Sequence, residues 1–350
     1  MDGFLASQVV RWQALSGRHD LPWQNTRDPY RVWLSEIMLQ QTQGITVQAY
    51  FARFLVRFPD VQALALAALD DVLHLWAGLG YYSRARNLHR CAQDVVNLHG
   101  GVFPCTALQL QTLPGIGRST AAAIAALCFG ERVAILDGNV KRVLTRYLGF
   151  ADDLALASNE RRLWDLATEL LPKDHLSRNM ARYTQGMMDL GATLCSSKSP
   201  ACQVCPLAER CVAQASGSPE KFPFKTRKLK RSAQSIWLLW ALADDGAVWL
   251  SQRPTPGVWA GLYCLPLFDD RQALQTVAEQ LGAHALEDLP SFKHVLTHKD
   301  LYLHPVLLSL AGRQALPLAG QWVELAQRAQ LGLPAPIKKL LGAQPFPGAA

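Results

Sequence analysis

The segment Leu113–Arg142 reads LPGIGRSTAAAIAALCFGERVAILDGNVKR, and it decides the fold of the first part of this chain. Gly115 and Gly117 can take backbone angles closed to other residues, so main-chain amides there can approach a ligand closely. Ser119 and an alanine-rich run of strong helix formers follow. Because amides at a helix N-terminus bind phosphate oxygens, the segment predicts two helices joined by a glycine turn that would hold a DNA backbone without reading its sequence. The glycine pattern taken alone also fits a capped core helix.

Asp137 lies downstream of the glycine turn and is flanked by Gly138, Asn139, Lys141 and Arg142. An aspartate before glycine is most often a turn residue. The basic and amide side chains around this one make it a candidate functional carboxylate instead.

A second candidate carboxylate, Glu36, lies in the stretch PYRVWLSEIMLQQTQ (29–43), which is predicted to be helical. A glutamate beside an apolar stripe is usually a solvated face residue. If Glu36 faces a cleft, apolar walls would raise its pKa and suit it to general-acid catalysis near neutral pH. The adjoining run Gln40–Gln43 is polar but uncharged, and its amides suit hydrogen bonds to base edges.

Length and composition favour a globular protein with a polyanionic partner. At 350 residues the chain is long enough for two domains, and its 49% apolar and 18% charged content is ordinary for globular proteins. The formal net charge of +7 favours a polyanion. The start, MDGFLASQVVRWQALSG, lacks a signal-peptide pattern and no apolar run is long enough to span a bilayer, so we expect a cytoplasmic protein without membrane association.

The first part of the chain is predicted to be all-α. Apolar residues recur at helical spacing, and no convincing strand pattern appears before Leu194. The predicted helical stretches are residues 7–20, 29–43, 50–58, 61–76, 86–98, 153–171 and 177–194.

A glycine turn with two tyrosines and two arginines, GLGYYSRAR, covers residues 78–86. Aromatic rings can stack on bases or wedge between them, and Arg84 and Arg86 would bind phosphates. The element therefore suits a DNA-facing surface. The alternative is a buried pair formed by Tyr81 and Tyr82.

The segment 195–211 contains four cysteines, Cys195, Cys202, Cys205 and Cys211. In a reducing compartment, clustered cysteines are metal ligands rather than disulfides. Zinc sites usually contain two CxxC pairs, and only one such pair occurs here. Uneven spacing with a proline after Cys205 fits a cubane iron–sulfur cluster better, and zinc is the alternative.

The amino-acid composition changes after the cysteine segment 195–211. Residues 216–234 are small and polar and then basic, which predicts either a solvated linker or a segment along DNA. From residue 235, two apolar runs joined by Asp244-Asp245-Gly246 predict a β-hairpin. A helix over 271–281 and strand-like stretches around 293–295 and 301–308 complete an α+β domain.

With these segments described, the chain resembles the MutY-type adenine DNA glycosylases, members of the helix-hairpin-helix glycosylase superfamily. The resemblance covers nearly the whole length and is densest at LPWQ (21–24), WLSEIMLQQTQ (33–43), HLWAGLGYYSRARNLH (74–89), LPGIGRSTA (113–121), ILDGNVKRV (135–143), MMDLGA (187–192) and the cysteines of 195–211. It implies an all-α helix-hairpin-helix glycosylase domain with an iron–sulfur cluster loop over 1–215, a basic linker over 216–234 and a Nudix-like α+β domain over 235–343.

The resemblance also implies a reaction, the removal of adenine mispaired with 8-oxoguanine or guanine in double-stranded DNA. Glu36 occupies the position of the family's catalytic glutamate and Asp137 that of its aspartate, with Asn139 orienting Asp137. Glu36 would protonate adenine at N7 as the glycosidic bond lengthens. A fixed carboxylate at Asp137 would then stabilise the oxocarbenium-like sugar.

Further family positions imply the DNA contacts and the cofactor. Gln41 and Tyr81 match residues that intrude into the duplex, and Trp23 and Leu39 match the wall of the adenine pocket. The family's cysteines hold a 4Fe-4S cluster, so the resemblance implies that cofactor for the cysteine segment 195–211. We expect a monomer in a bacterial cell, associated with the nucleoid.

Two departures from related patterns refine the expected activity. Related lyases have a lysine in the hairpin at the position of Ser119. Because serine cannot form a Schiff base, a monofunctional glycosylase is expected, and Lys141 is the nearest amine in sequence.

In the C-terminal domain, RQALQTVAEQLG (271–282) lacks the RExxEE pattern of active Nudix hydrolases. Where the family has Phe-Ser-His against 8-oxoguanine, this chain has Leu296-Thr297-His298, so Thr297 and His298 are the expected contacts.

Two other functions compete with this interpretation. A bifunctional glycosylase/lyase acting on oxidised pyrimidines is disfavoured by Ser119 and by the additional C-terminal domain. A non-catalytic iron–sulfur protein that binds DNA or senses redox state would leave Glu36 and Asp137 without a role.

Overall fold

The structure, a computed structural model, describes residues 3–226, 230–281 and 286–343. Of the segments discussed above, residues 1–2, 227–229 and 282 lie outside these ranges. The chain forms two compact units. The helical unit comprises Met1–Leu66 and Asn87–Lys228, and the sheet unit comprises Ala67–Arg86 and Leu229–Ala350.

The first part of the chain is all-α, as predicted, and no strand occurs within residues 3–226. A π-helical turn, Ala125–Phe129, follows α8. The helices are α1 Phe4–Ser16, α2 Pro29–Leu39, α3 Gly44–Arg57, α4 Val61–Leu66, α5 Leu69–Trp76, α6 Ser83–His99, α7 Ala107–Leu110, α8 Arg118–Ile124, α9 Gly138–Leu148, α10 Ala157–Glu169, α11 Leu176–Thr193 and α12 Val212–Ala215.

Several predicted helix bounds were wrong, each for a local reason. The stretch predicted as 7–20 ends at Ser16, where the Gly17 amide donates to the Gln13 carbonyl and the chain becomes extended. The stretch predicted as 29–43 ends at Leu39, because Gln41 has a left-handed backbone with a φ of 57°. The stretch predicted as 61–76 is two helices, α4 and α5.

The core of the helical unit lies between α1, α8, α9, α10 and α11. Small residues let these helices approach each other closely. A Cβ atom at Gly186 of α11 would lie 2.7 Å from Val9 Cγ1 of α1, and one at Gly191 would lie 2.5 Å from Asn139 Cβ of α9. The start of α9 is therefore packed directly against α11.

The sheet unit contains a mixed eight-stranded sheet. Its strands are β1 Ser232–Ala243, β2 Val248–Gln252, β3 Tyr263–Cys264, β4 Leu267–Phe268, β5 Glu287–Asp288, β6 Phe292–Val295, β7 Lys299–Leu310 and β8 Gln321–Val323. The main order is β3-β2-β1-β7-β5, with β4 beside β1, β6 beside β7 and β8 beside β2. The predicted β1–β2 hairpin forms, and β1 and β7 pair in parallel from Ser232 opposite Lys299 to Ala243 opposite Leu310.

Besides α5 and the first residues of α6, the described part of the sheet unit contains the helices α13 Arg271–Gln280, α14 Leu325–Arg328 and α15 Ala335–Gly342. Leu274 and Ala278 of α13 are buried against the apolar side chains of the sheet. The predicted fold class, an all-α domain followed by an α+β domain, is confirmed. In the described parts of both units, no helix is long and apolar enough to cross a membrane.

Replacing Gly191 with alanine should destabilise the helical unit. The added methyl group would lie 2.5 Å from Asn139 Cβ and 3.0 Å from its Cα, so α9 and α11 would have to move apart. Overpacking of this kind costs about 1–3 kcal/mol, and the urea midpoint of unfolding should fall accordingly.

Gly138→Ala is the matched control for this variant. Gly138 begins α9, and a methyl group there meets nothing within 4 Å, so the urea midpoint should stay the same or rise slightly. Equal losses in the two variants would contradict the packing argument.

Candidate active site

Glu36 and Asp137 share one site in the helical unit. Glu36 lies on α2, whose start is fixed by Pro29 and by the Asp28 carboxylate, which accepts a hydrogen bond from the Tyr30 amide. Its side chain is partly exposed and lies between buried neighbours. Burial, and secondly the negative charge of Asp137, raise the pKa of Glu36 to about 7. Glu36 therefore exchanges a proton near neutral pH, as expected for a glutamate in a cleft.

Asp137 is the N-cap of α9, and its environment favours the charged form more than that of Glu36 does. Burial raises the pKa of Asp137, but backbone hydrogen bonds from Val140 and Asn139 and the positive charges of Arg142 and Lys141 lower it. The bond from the Val140 amide to Asp137 Oδ1 is 2.7 Å long. The net effect is a raised pKa for Asp137, with burial as its largest cause, and the hydrogen bonds and positive charges oppose that rise.

The hairpin holds the segment that precedes Asp137. The Leu136 amide donates to Ser119 Oγ over 3.1 Å. In the turn, Gly115 has a φ of 76°, and a Cβ atom there would lie 2.7 Å from Asn87 Cβ, so glycine is required. Gly117 has an ordinary φ of −82° and open space around it, so the predicted need for a special backbone angle holds only for Gly115.

Trp23 and Leu39, the predicted pocket wall, lie side by side. Their side chains both approach Gly44, where an added Cβ atom would lie 3.9 Å from the indole ring and 4.0 Å from Leu39 Cδ2. The indole ring also packs edge-on against Phe51, with 5.5 Å between ring centroids. Gln41 follows Leu39 closely and is exposed.

A buried polar cluster behind Trp23 was not predicted from the sequence. The Asp189 carboxylate is fully buried and accepts hydrogen bonds from Arg18 Nε at 2.8 Å, Gln185 Nε2 at 2.9 Å and Gln24 Nε2 at 3.3 Å. Gln24 Oε1 is also buried and has no hydrogen-bond partner among the described residues. The motif LPWQ contains Gln24 and MMDLGA contains Asp189, but only the fold shows that these segments meet.

The four cysteines of segment 195–211 line one cavity of about 30 Å³ together with apolar side chains of α9 and α11. Burial raises the pKa of the Cys205 thiol to about 11. Within the described ranges, no three His, Cys, Asp or Glu side chains are arranged to hold a single metal ion. A group bound by all four thiolates would need a nearby positive charge.

Arg146 of α9 supplies that charge, and the sequence analysis did not identify it. The guanidinium is buried and donates to Cys195 Sγ at 3.3 Å and to the Ser196 and Ser197 carbonyls at 2.7 and 3.1 Å. It also donates to the Pro219 carbonyl at 2.8 Å. Arg146 thus ties the start of the cysteine segment, and the residues that follow its end, to α9.

Arg142, one turn earlier on α9, links Asn139 to the same segment. Its guanidinium donates to Asn139 Oδ1 at 2.8 Å, to the Gly191 carbonyl at 2.6 Å and to the Cys195 carbonyl at 2.7 Å. Asn139 therefore contacts the Asp137 carboxylate through its backbone amide, while its side chain is bonded to Arg142.

In the sheet unit, the predicted contacts Tyr81, Thr297 and His298 line one cavity of about 630 Å³. The hydroxyl groups of Tyr81 and Thr297 are hydrogen-bonded to each other. Tyr81 is 40% exposed and has a left-handed backbone with a φ of 48°.

The predicted role of Arg84 as a phosphate ligand was wrong, whereas that of Arg86 stays a prediction. Arg84 is buried, donates to the Leu79 and Gly80 carbonyls and lies over the rings of Trp76 and Tyr81. Arg86 donates to the Ala260 carbonyl at 2.6 Å. The tight glycine turn directs the Leu79 and Gly80 carbonyls at Arg84, so this guanidinium binds protein.

Comparisons with known proteins agree with the two units. Residues 34–169 match the HhH-GPD superfamily base excision DNA repair protein family, and residues 237–343 match the NUDIX domain. The chain is 37% identical to the adenine DNA glycosylase of Buchnera aphidicola subsp. Acyrthosiphon pisum (strain APS), over 97% of this chain and 98% of that protein. It is 34% identical to the adenine DNA glycosylase of Homo sapiens, over 87% of this chain and 68% of the human protein.

A solved structure shows the same fold. The structure of a thermostable thymine-DNA glycosylase is 29% identical and superimposes with a TM-score of 0.53, over 60% of this chain and 95% of that one.

Glu36→Gln should stabilise the protein at high pH. The pKa of Glu36 is raised from 4.5 to about 7 in the folded state, so the folded protein loses stability as pH rises from about 4.5 through 7. A neutral glutamine should remove this loss, which is at most about 3 kcal/mol. Urea unfolding at pH 5 and pH 8 measures the difference between variant and wild type, which should grow toward pH 8.

Glu169→Gln, on the exposed surface of α10, is the control. An equal effect of both substitutions at both pH values would show that the cleft does not set the protonation of Glu36.

Proposed function

The chain belongs to the adenine DNA glycosylase family, and we propose that it hydrolyses the N-glycosidic bond of adenine mispaired with 8-oxoguanine or guanine in double-stranded DNA, within base excision repair. The observation that supports this most strongly is the pair Glu36 and Asp137, which share a site beside the hairpin. Burial raises the pKa of Glu36 to about 7, and backbone hydrogen bonds and positive charges favour the anionic form of Asp137 against the effect of its own burial. Adenine is a poor leaving group, so its departure needs both an acid and a fixed negative charge.

The first step places the target adenine in the pocket and protonates it. The base must leave the duplex stack, which costs a few kcal/mol. Trp23 and Leu39 then face the base, and Glu36 donates its proton to adenine N7 as the C1′–N9 bond breaks. A pKa of about 7 keeps a large fraction of Glu36 protonated at neutral pH while leaving it acidic enough to donate.

The second step stabilises the sugar cation. Adenine leaves with the bonding electron pair, and C1′ and the ring oxygen share a positive charge. The Asp137 carboxylate lies at the start of α9, where backbone amides hold it as an anion. Water then adds to C1′, and its proton passes to the Glu36 carboxylate, which restores the acid for the next turnover.

We include Gln24 in the proposal as a residue that recognises the edge of the adenine. Its buried Oε1 has no hydrogen-bond partner among the described residues, and its amide group is bonded to Asp189. This orientation fixes the amide as a donor toward Asp189 and leaves the oxygen as an acceptor for the exocyclic amine of adenine.

We expect a monofunctional enzyme. The hydroxyl of Ser119, at the position of the lyase lysine, accepts a hydrogen bond from the Leu136 amide and cannot form an imine. Lys141, the nearest amine in sequence, forms an ion pair with Glu160, with 2.5 Å between Nζ and Oε1.

A 4Fe-4S cluster is part of the proposal, with Cys195, Cys202, Cys205 and Cys211 as the residues that would hold it. The four side chains line one apolar cavity, and the Arg146 guanidinium compensates thiolate charge at Cys195. These features fit an anionic iron–thiolate group. When bound, the cluster would cross-link the segment 195–211 through iron–thiolate bonds.

The sheet unit would recognise the base opposite the adenine. Compared with guanine, 8-oxoguanine has an additional oxygen at C8 and a hydrogen on N7. The Thr297 hydroxyl can donate and accept, and His298 adds a second polar group at the same cavity. Tyr81, bonded to Thr297, is the residue proposed to enter the duplex there.

The reaction is tested with a duplex that contains one adenine opposite 8-oxoguanine. Wild-type protein should release free adenine, and strand breaks should appear only after alkali treatment. Glu36→Gln and Asp137→Asn should each slow adenine release by at least about 100-fold while DNA binding persists. Glu169→Gln serves as the control and should keep the wild-type rate.

Other outcomes of this assay would contradict the proposal. Breaks without alkali would identify a lyase with an amine nucleophile. DNA binding without adenine release by the wild-type protein would support a non-catalytic binding protein.

Cys202→Ser should remove iron and weaken the fold of the cysteine segment. Iron and sulfide content, circular dichroism and DNA affinity are measured in the same preparation. We expect loss of the cluster together with lower helicity or lower DNA affinity, whereas Cys105→Ser, at an exposed cysteine outside the segment, should retain all three. A well-folded, iron-free and fully active Cys202→Ser protein would contradict the structural role, and zinc in place of iron would contradict the cluster.

A further inference from the structure

The turn between β6 and β7 carries Thr297 and His298, and its backbone is held from two directions. Within the turn, the Leu296 amide donates to the Lys299 carbonyl over 2.8 Å. From the chain that precedes β1, the guanidinium of Arg231 donates to the Thr297 carbonyl over 2.9 Å. The Ser232 amide donates to the His298 carbonyl over 3.1 Å. Arg231 and Ser232 therefore donate hydrogen bonds to the backbone of both residues proposed to contact the opposite base.

Asp300 fixes the guanidinium that makes this contact. One carboxylate oxygen of Asp300 accepts a hydrogen bond from Arg231 Nη2, and the other forms an ion pair with Lys293 Nζ at 2.8 Å. Lys293 itself lies over the ring of Tyr302, 5.6 Å from the centroid. The planar guanidinium thus bridges a carboxylate and the Thr297 carbonyl, and free rotation of the arginine is restricted.

The partial exposure of Arg231 and Asp300 indicates that their contact affects local positioning more than global stability. The side chains of Arg231 and Asp300 are 43% and 22% exposed, and ion pairs at such sites contribute little to global stability. The same bonds have a larger effect on the placement of a single hydroxyl. Thr297 is held at its carbonyl by Arg231 and at its hydroxyl by Tyr81, so its orientation depends on both.

We propose that Arg231 is a positioning residue that sets the preference for 8-oxoguanine over guanine by fixing Thr297. This rests on the proposed role of Thr297 and His298 at the opposite base. Guanine and 8-oxoguanine differ there by one added oxygen and one hydrogen on N7. A hydroxyl distinguishes such groups only if its position is fixed within a fraction of an ångström. Arg231 acts through the Thr297 carbonyl and touches no reacting atom.

A competing role for Arg231 is a simple phosphate contact, as for other residues of the basic segment. Phosphate contacts strengthen binding to all duplexes alike and contain no base information. The two roles of Arg231 therefore predict different results. Loss of a positioning contact changes the preference for 8-oxoguanine over guanine, whereas loss of a phosphate contact does not.

The test measures adenine release under subsaturating single-turnover conditions with two duplexes, one with adenine opposite 8-oxoguanine and one with adenine opposite guanine. The full-length wild type is compared with Arg231→Gln, Thr297→Val, the double variant and Lys230→Gln. Lys230→Gln removes one positive charge from the exposed neighbouring residue and is the matched control. Thermal unfolding confirms that each variant is folded.

We expect Arg231→Gln to lower the ratio of the two rates by about 5- to 10-fold, the effect of losing one ordinary hydrogen bond at a half-exposed site, through the 8-oxoguanine duplex alone. Thr297→Val should lower the ratio at least as much. The double variant should resemble Thr297→Val, because Arg231 acts through Thr297. Lys230→Gln should leave the ratio unchanged.

Each alternative result has a distinct meaning. Equal losses on both duplexes for Arg231→Gln, or additive effects in the double variant, would overturn the positioning role. An unchanged ratio in Thr297→Val would instead refute the proposed role of the turn itself. Absence of adenine release by the wild type would refute the proposed function before either variant is considered.

Discussion

The site of the helical unit depends on the first turn of α9, where the Asp137 carboxylate accepts backbone hydrogen bonds. Two carboxyl groups in one partly buried site cannot both be charged at low cost. The amides and the dipole at the start of a helix stabilise negative charge, and Asp137 receives both. Burial and the negative charge of Asp137 raise the pKa of Glu36 to about 7. The same helix terminus opposes the effect of burial on the pKa of Asp137.

That terminus is held in place from several sides. The Ser119 hydroxyl fixes the residue before Asp137, and the absence of a side chain at Gly191 lets α11 lie directly against Asn139. Arg142 and Arg146, one turn apart on α9, bind the segment that contains the cysteines. The same helix therefore carries Asp137 at its start and binds the cysteine segment through Arg142 and Arg146. The hydrogen bonds of these two arginines hold that segment in place, although it contains neither of the two carboxyl groups.

The fold class and both carboxylates could be predicted from the sequence because their signals are local. Helical periodicity, the glycine turn and the N-cap aspartate each lie within a few neighbouring residues. The contacts that complete the site are not local: Arg18 bonds to Asp189 across 171 positions and Arg146 to Ser196 across 50. The failure at Arg84 has the same origin, since local composition indicated phosphate binding but the carbonyls of the folded turn capture the cation.

Backbone strain gives independent support for a role of the side chains at Gln41 and Tyr81. Both have left-handed backbones, with φ values of 57° and 48°, which cost an L-residue roughly 1–2 kcal/mol. Glycine would remove that cost, and the chain uses glycine for the positive φ angles at Gly78 and Gly80 immediately before Tyr81. At Tyr81 a phenol is kept directly after a glycine, and at Gln41 an amide is kept after Gln40, so both strained positions retain a side chain. A residue that must project from a tight turn into a stacked duplex needs such a side chain.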